Sequence, residues 1–96
     1  MDKYSQYAKE EMANEPTPQW KLGAVKKAVK FVVNNKSLIP SKKVRGWVSK
    51  YGGKMIDALD FVETGTKVGL QLAFEEASIP KNVAKALADF IVTFIL

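Results

Sequence analysis

Apolar side chains recur with a helical period through most of this chain, most densely near residue 96. Val83, Leu87, Phe90, Ile91 and Phe94 fall at i, i+4, i+7, i+8 and i+11, and Ala84, Ala88 and Ile95 widen the stripe until Asn82, Lys85, Asp89 and Thr93 remain for water. The pattern predicts a helix over 81–96 that needs cover on nearly every side. Either a bundle of other helices or a membrane can supply it.

Four further segments carry weaker versions of the same period. Residues 5–14 hold helix formers and a thin apolar edge, and Glu15-Pro16-Thr17-Pro18 ends them, because each proline lacks a backbone donor and biases its predecessor away from helix. A second helix is expected from about Gln19 to Asn34 or Asn35, with Leu22, Val25, Val29, Val32 and Val33 as its stripe, helped by Ala28 and Phe31. Its other face is Lys26, Lys27, Lys30 and Asn34. After the turn Ser37-Leu38-Ile39-Pro40, Ser41 is a ready N-cap for a third helix to Tyr51, stopped by Gly52-Gly53. A fourth is expected over 54–77, with Met55, Ile56, Leu59, Val62, Leu70, Ala73 and Phe74 inward and a bend near Gly65. Gly65, Gly69, Ala73 and Ala77 form a small-residue ridge along it, to which we assign the 81–96 helix as neighbour. Ser78 is a candidate cap and Pro80 a first-turn residue for that last helix. The expected fold is a single all-α domain over 1–96: a weak helix and proline-rich linker over 1–18, then a compact bundle of short amphipathic helices over 19–96.

Composition sharpens this picture mainly through charge. The net charge of +5 is unevenly spread. From Lys21 to Lys54 there are ten basic residues (Lys21, Lys26, Lys27, Lys30, Lys36, Lys42, Lys43, Arg45, Lys50 and Lys54) and no Asp or Glu, whereas residues 1–20 and 55–96 are each net acidic. The chain has no cysteine, hence no disulfide framework. Its opening residues lack the apolar run of a secretory signal, and the run Phe90 to Leu96 is far short of the ~20 residues that span a bilayer. Those features predict a protein that is cytoplasmic or exported by a leaderless route.

Catalysis has little to work with. Without histidine or cysteine the commonest acid–base, nucleophilic and zinc chemistries lack their participants, so neither an enzyme nor a resident metal or cofactor is expected. Asp57, Asp60 and Thr64 would share a helix face, which ordinarily means a solvated face. Gly52-Gly53-Lys54 fails as a phosphate loop, with Met55 where Ser or Thr is needed and no strand before it.

The basic segment is the informative signal, and two partners suit it. Anionic lipid would take Lys21, Lys26, Lys27, Lys30, Lys42, Lys43, Arg45, Lys50 and Lys54 on its headgroups, with Trp20, Trp47, Phe31 and Tyr51 at the membrane interface. A soluble binding module would put the same cations on nucleic acid or an acidic protein, and Ser41 to Val62 has the helix, glycine turn, helix outline of a DNA-binding motif. Against nucleic acid stand Asp57 and Asp60 on the would-be recognition helix and the single arginine in the chain.

The run from Val48 to Leu59 (Val-Ser-Lys-Tyr-Gly-Gly-Lys-Met-Ile-Asp-Ala-Leu) resembles the Lys-Tyr-Gly and Gly-Lys-apolar-apolar-acid-x-Leu segments of small leaderless helical bacteriocins with a saposin-like fold. Ser78-Ile79-Pro80-Lys81-Asn82-Val83-Ala84 is similar to the Ile-Pro-x-x-Val-Ala helix start of some circular bacteriocins. Together the matches cover 19 of 96 residues. The resemblance implies a compact amphipathic bundle, made without a signal, that permeabilises bacterial membranes. The chain departs from that pattern in its greater length, its acidic outer thirds and its two tryptophans. The leading expectation is a membrane-active, bacteriocin-like antimicrobial protein docking on anionic lipid through residues 21–54, with the soluble binding module as the alternative.

Overall fold

A computed structural model of the chain describes residues 19–96, so the expected helix and linker over 1–18 lie outside the described residues. What it describes is the expected all-α bundle: α1 (Leu22–Asn34), α2 (Lys42–Asp57), α3 (Lys67–Glu76) and α4 (Lys81–Phe94), with 3-10 turns at Lys36–Leu38 and Ala58–Phe61. The chain forms two helical hairpins. α1 packs on α2 and α3 on α4, and α4 also meets α1 and α2 to close the core.

The buried stripes are the reason for this arrangement. Val25, Ala28, Val29 and Val32 of α1 meet Val48 and Met55 of α2, Leu70 and Phe74 of α3, and Val83, Leu87 and Ile91 of α4 in one apolar cluster. Burial of each large side chain stabilises by roughly 1.5–3 kcal/mol, which offsets the weak intrinsic helicity of such short segments. α4 is central as its pattern predicts, with Val83, Ala84, Leu87, Ala88, Phe90 and Ile91 all buried.

Several boundaries differ from the sequence expectation. α1 begins at Leu22 rather than near Gln19, because Trp20 is held in the extended approach by its backbone N–H donating to the Gly65 carbonyl at 2.6 Å. Gly52-Gly53 does not stop α2, which runs through both to Asp57. Each helical glycine costs about 1 kcal/mol, yet Gly52 is buried between Val48 and Met55, and a Cβ there would stand 3.5 Å from Val33 of α1. Packing against α1 therefore overrides the local preference.

The helix expected over 54–77 is two elements. After Asp57 the chain tightens into the 3-10 turn, becomes extended at Val62, and restarts at Lys67 with Thr66 as N-cap, its hydroxyl accepting from the Gly69 N–H at 3.0 Å. The expected ridge splits accordingly. A Cβ on Gly65 would overlap the Trp20 carbonyl and one on Gly69 the Thr64 hydroxyl, so these glycines accommodate the extended segment before α1 and a capping loop.

Ser78 is not the cap of α4. It lies at φ 74°, in the left-handed region, just past the end of α3. Its N–H donates to the Glu75 carbonyl at 2.9 Å and the Ile79 N–H to the Phe74 carbonyl at 3.0 Å, the paired bonds of a Schellman motif. Pro80 caps α4 instead, its carbonyl accepting from Ala84. Ser41 does cap α2 as expected, accepting from the Val44 N–H at 3.2 Å.

Candidate functional site

The acid-free segment folds into α1, the turn after it and nearly all of α2, so its cations surround one hairpin. Lys21, Lys27, Lys30, Lys36, Lys42, Lys43, Lys50 and Lys54 are exposed, and Lys26 and Arg45 half-buried. Among the described residues the ion pairs are Lys67–Asp89 at 3.0 Å and Lys85–Asp89 at 3.4 Å, both on the α3–α4 hairpin. Partial burial works to raise the Asp89 pKa, but the Lys67 hydrogen bond and charge, with the Lys85 charge and hydrogen bond, outweigh it and hold the carboxyl below its ordinary value.

The aromatic residues sit among these cations. Trp20, Trp47 and Tyr51 are half-buried and pack against the core with part of each ring left at the surface. Lys43 Nζ lies 5.1 Å from the Trp47 ring centre and Lys50 Nζ 5.3 Å from that of Tyr51. Both distances are within cation–π range. Each of these two α2 rings thus has an ammonium beside it. Lys42, Arg45, Gly46 and Ser49 line a shallow hollow of about 340 Å³ on the same helix, open because Gly46 carries no side chain. Arg45 Nε is shut off from solvent there without a hydrogen-bond partner among the described residues. Lys54 is drawn off differently, its Nζ reaching the Ser78 carbonyl at 3.5 Å.

Two constellations weighed in the sequence are not assembled. Because α2 continues through Gly52-Gly53, the helix, glycine turn, helix outline over 41–62 does not form. Asp57, Asp60 and Thr64 fall on the end of α2, a 3-10 turn and a loop rather than one helix face. No group of three or more metal-ligating side chains gathers among the described residues, and none of their helices is long and apolar enough to cross a membrane.

Other surface residues depart from the predicted stripes. Leu22 and Ile56, expected inward, are exposed, and so is Phe94 at 66%. Phe31, which fits both the stripe and the interface reading, is 47% exposed. With Leu38 at 69%, Phe31 and Phe94 flank an apolar groove of about 220 Å³ between the end of α1, the following turn and the end of α4. A second groove of about 390 Å³, between the 58–61 turn and α3, carries exposed Phe61 and Leu72 but is edged by Asp60, Glu63 and Glu76. The only sequence signal for the first groove is Leu38 itself, an apolar residue in a turn where no helix face claims it. No protein-family model, curated protein or solved structure matches this chain.

Proposed function

We propose that this chain is a membrane-active basic helical protein of bacteriocin-like type, which docks on anionic lipid through the surface of residues 21–54. The observation that carries the reading is the outer side of α2, where Lys43 stands over Trp47 and Lys50 over Tyr51 with no acid in the segment. Half-buried Trp and Tyr rings suit the headgroup depth, where an amphipathic ring keeps one edge apolar and one wet. Lysines beside them add roughly 1 kcal/mol each of attraction to an anionic leaflet. The helix, glycine turn, helix outline that would favour DNA binding by the same cations is not formed.

The test compares co-sedimentation with anionic and zwitterionic vesicles, dye release, and retardation of DNA and RNA, all at matched salt. Binding and release on anionic vesicles are expected. Changing Lys26, Lys27 and Lys30 together to Gln should weaken binding by on the order of 3 kcal/mol, leaving helix content intact because none of the three is a core residue. Tight, salt-dependent nucleic-acid binding without vesicle association would overturn the reading in favour of a soluble binding module.

A further inference from the structure

The groove between α1 and α4 is apolar in a way that folding does not require. Its floor is Val32, Ile39 and Phe90, all buried, while its walls Phe31, Leu38 and Phe94 stand in water. Phe94 stacks on Phe90 with ring centres 5.0 Å apart, so it is placed over the groove rather than splayed away. The one side-chain amide lining it, that of Asn35, turns its Nδ2 back to the Phe31 carbonyl at 2.9 Å.

Charge tells this groove apart from the other. No ionisable residue lines it; next to its lining residues in the chain stand Lys30 beside Phe31, Lys36 beside Asn35 and Asp89 beside Phe90, with Lys42 two residues after Pro40. Asp89, on the same helix as Phe94, is paired with Lys67 and Lys85. An anionic surface attracts this end of the hairpin and repels the α3 groove with its Asp60, Glu63 and Glu76. At about 220 Å³ the groove falls below the ~300–1,000 Å³ of sites that enclose a whole small molecule, and suits one hydrocarbon chain end.

We propose that the Phe31–Leu38–Phe94 groove receives an acyl chain of an anionic bilayer lipid, while the neighbouring lysines hold the headgroup region. The proposal rests on the lipid-docking reading and adds where the apolar contact is made. Docking by charge brings the hairpin to the surface, and the groove then anchors it.

The absence of cysteine makes a site-specific test direct. Full-length Leu38→Cys and, as a matched exposed leucine in the acid-edged groove, Leu72→Cys each take one environment-sensitive fluorophore, and vesicles carry a quencher on the lipid chains. The label at 38 should shift to the blue and be quenched several-fold more than the label at 72. Separately, Leu38→Ser and Phe94→Ser should each weaken binding to anionic vesicles about tenfold with an unchanged circular dichroism spectrum. A label at 38 that stays in water on vesicles the protein binds would overturn the groove assignment and leave charge docking standing. A protein that does not bind anionic vesicles overturns both. A label at 38 already blue-shifted in buffer also overturns it: the occupant is then a second copy if the shift grows with concentration, and the chain's own residues if it does not.

Discussion

Two turns of this bundle contain the same Ile-Pro pair and differ in the residue before it. In Leu38-Ile39-Pro40 and Ser78-Ile79-Pro80 the isoleucine is buried, at 5% and 2% exposure, and the proline leads toward the next helix. Ser78 completes the Schellman motif of α3 in a left-handed conformation, a local task tied to the fold. Leu38 has no such task. The 3-10 turn around it is bonded through backbone groups, Leu38 N–H to Asn35 and Ile39 N–H to Lys36, and its side chain points to solvent. The α3–α4 turn therefore uses the residue before its Ile-Pro pair to end a helix, whereas the α1–α2 turn displays an apolar side chain there, with Lys36 and Lys42 close by in the chain. Setting the two side by side separates what the fold needs from what it leaves exposed.

If the two isoleucines are equivalent, Ile39→Ala and Ile79→Ala should each cost about 2–4 kcal/mol in urea denaturation, the loss of a buried branched side chain plus the cavity it leaves. A cost under about 1 kcal/mol at Ile39 alone would break the comparison, since that turn would not then be anchored in the core. A smaller effect, of opposite sign in the two turns, is expected from glycine. Ser78→Gly should stabilise by about 0.5–1 kcal/mol, because glycine enters the left-handed region without the Cβ clash. Leu38→Gly, at a position without positive φ, should instead destabilise slightly through the added freedom of the unfolded chain.

The smallest effect is electrostatic and belongs to α3–α4. Asp89 titrates below its ordinary value when folded, so its pairing contributes stability above the unfolded pKa, and that contribution is lost as pH falls through the lower folded value. Its side chain is 38% exposed, and screening limits the effect to a few tenths of a kcal/mol. A carboxyl titration by NMR on wild type and Lys67→Gln should show the Asp89 pKa rising in the variant. An unchanged pKa would mean that Lys67 contributes nothing in solution.

The helical stripes were legible because burial imposes a period on the sequence, and α4 followed from it; the Ser41 cap followed from the serine after Pro40 and the cationic segment from its acid-free run, but not its pairing into one hairpin. Helix ends were less legible, since local punctuation competes with packing. Gly52-Gly53 reads as a stop until α1 is seen lying against Gly52, and the true restart rests on Thr66 reaching the Gly69 N–H, a cap obscured by the apolar pattern on either side. Periodicity also cannot say how far a stripe stays covered. Phe94 continues the line of Phe90 and Ile91 but projects past its neighbours at the last turn of α4, and this turned an expected core residue into a groove wall. The candidate surface was legible as charge, from the acid-free run, but not as shape.

The contact between Trp20 and Gly65 bears on how mutational data from this protein should be read. No positive φ demands glycine at 65; the demand is for space, since a Cβ would meet the Trp20 carbonyl carbon at 2.7 Å and its oxygen closer still. Any replacement must push the extended segment leading into α1 off the loop leading into α3, loosening both hairpins at once. A substitution scan scored on activity alone would accordingly mark position 65 as intolerant as any binding residue. Its intolerance would record a crossing of two backbones, and only a parallel measure of folded protein would keep it from being mistaken for a recognition site.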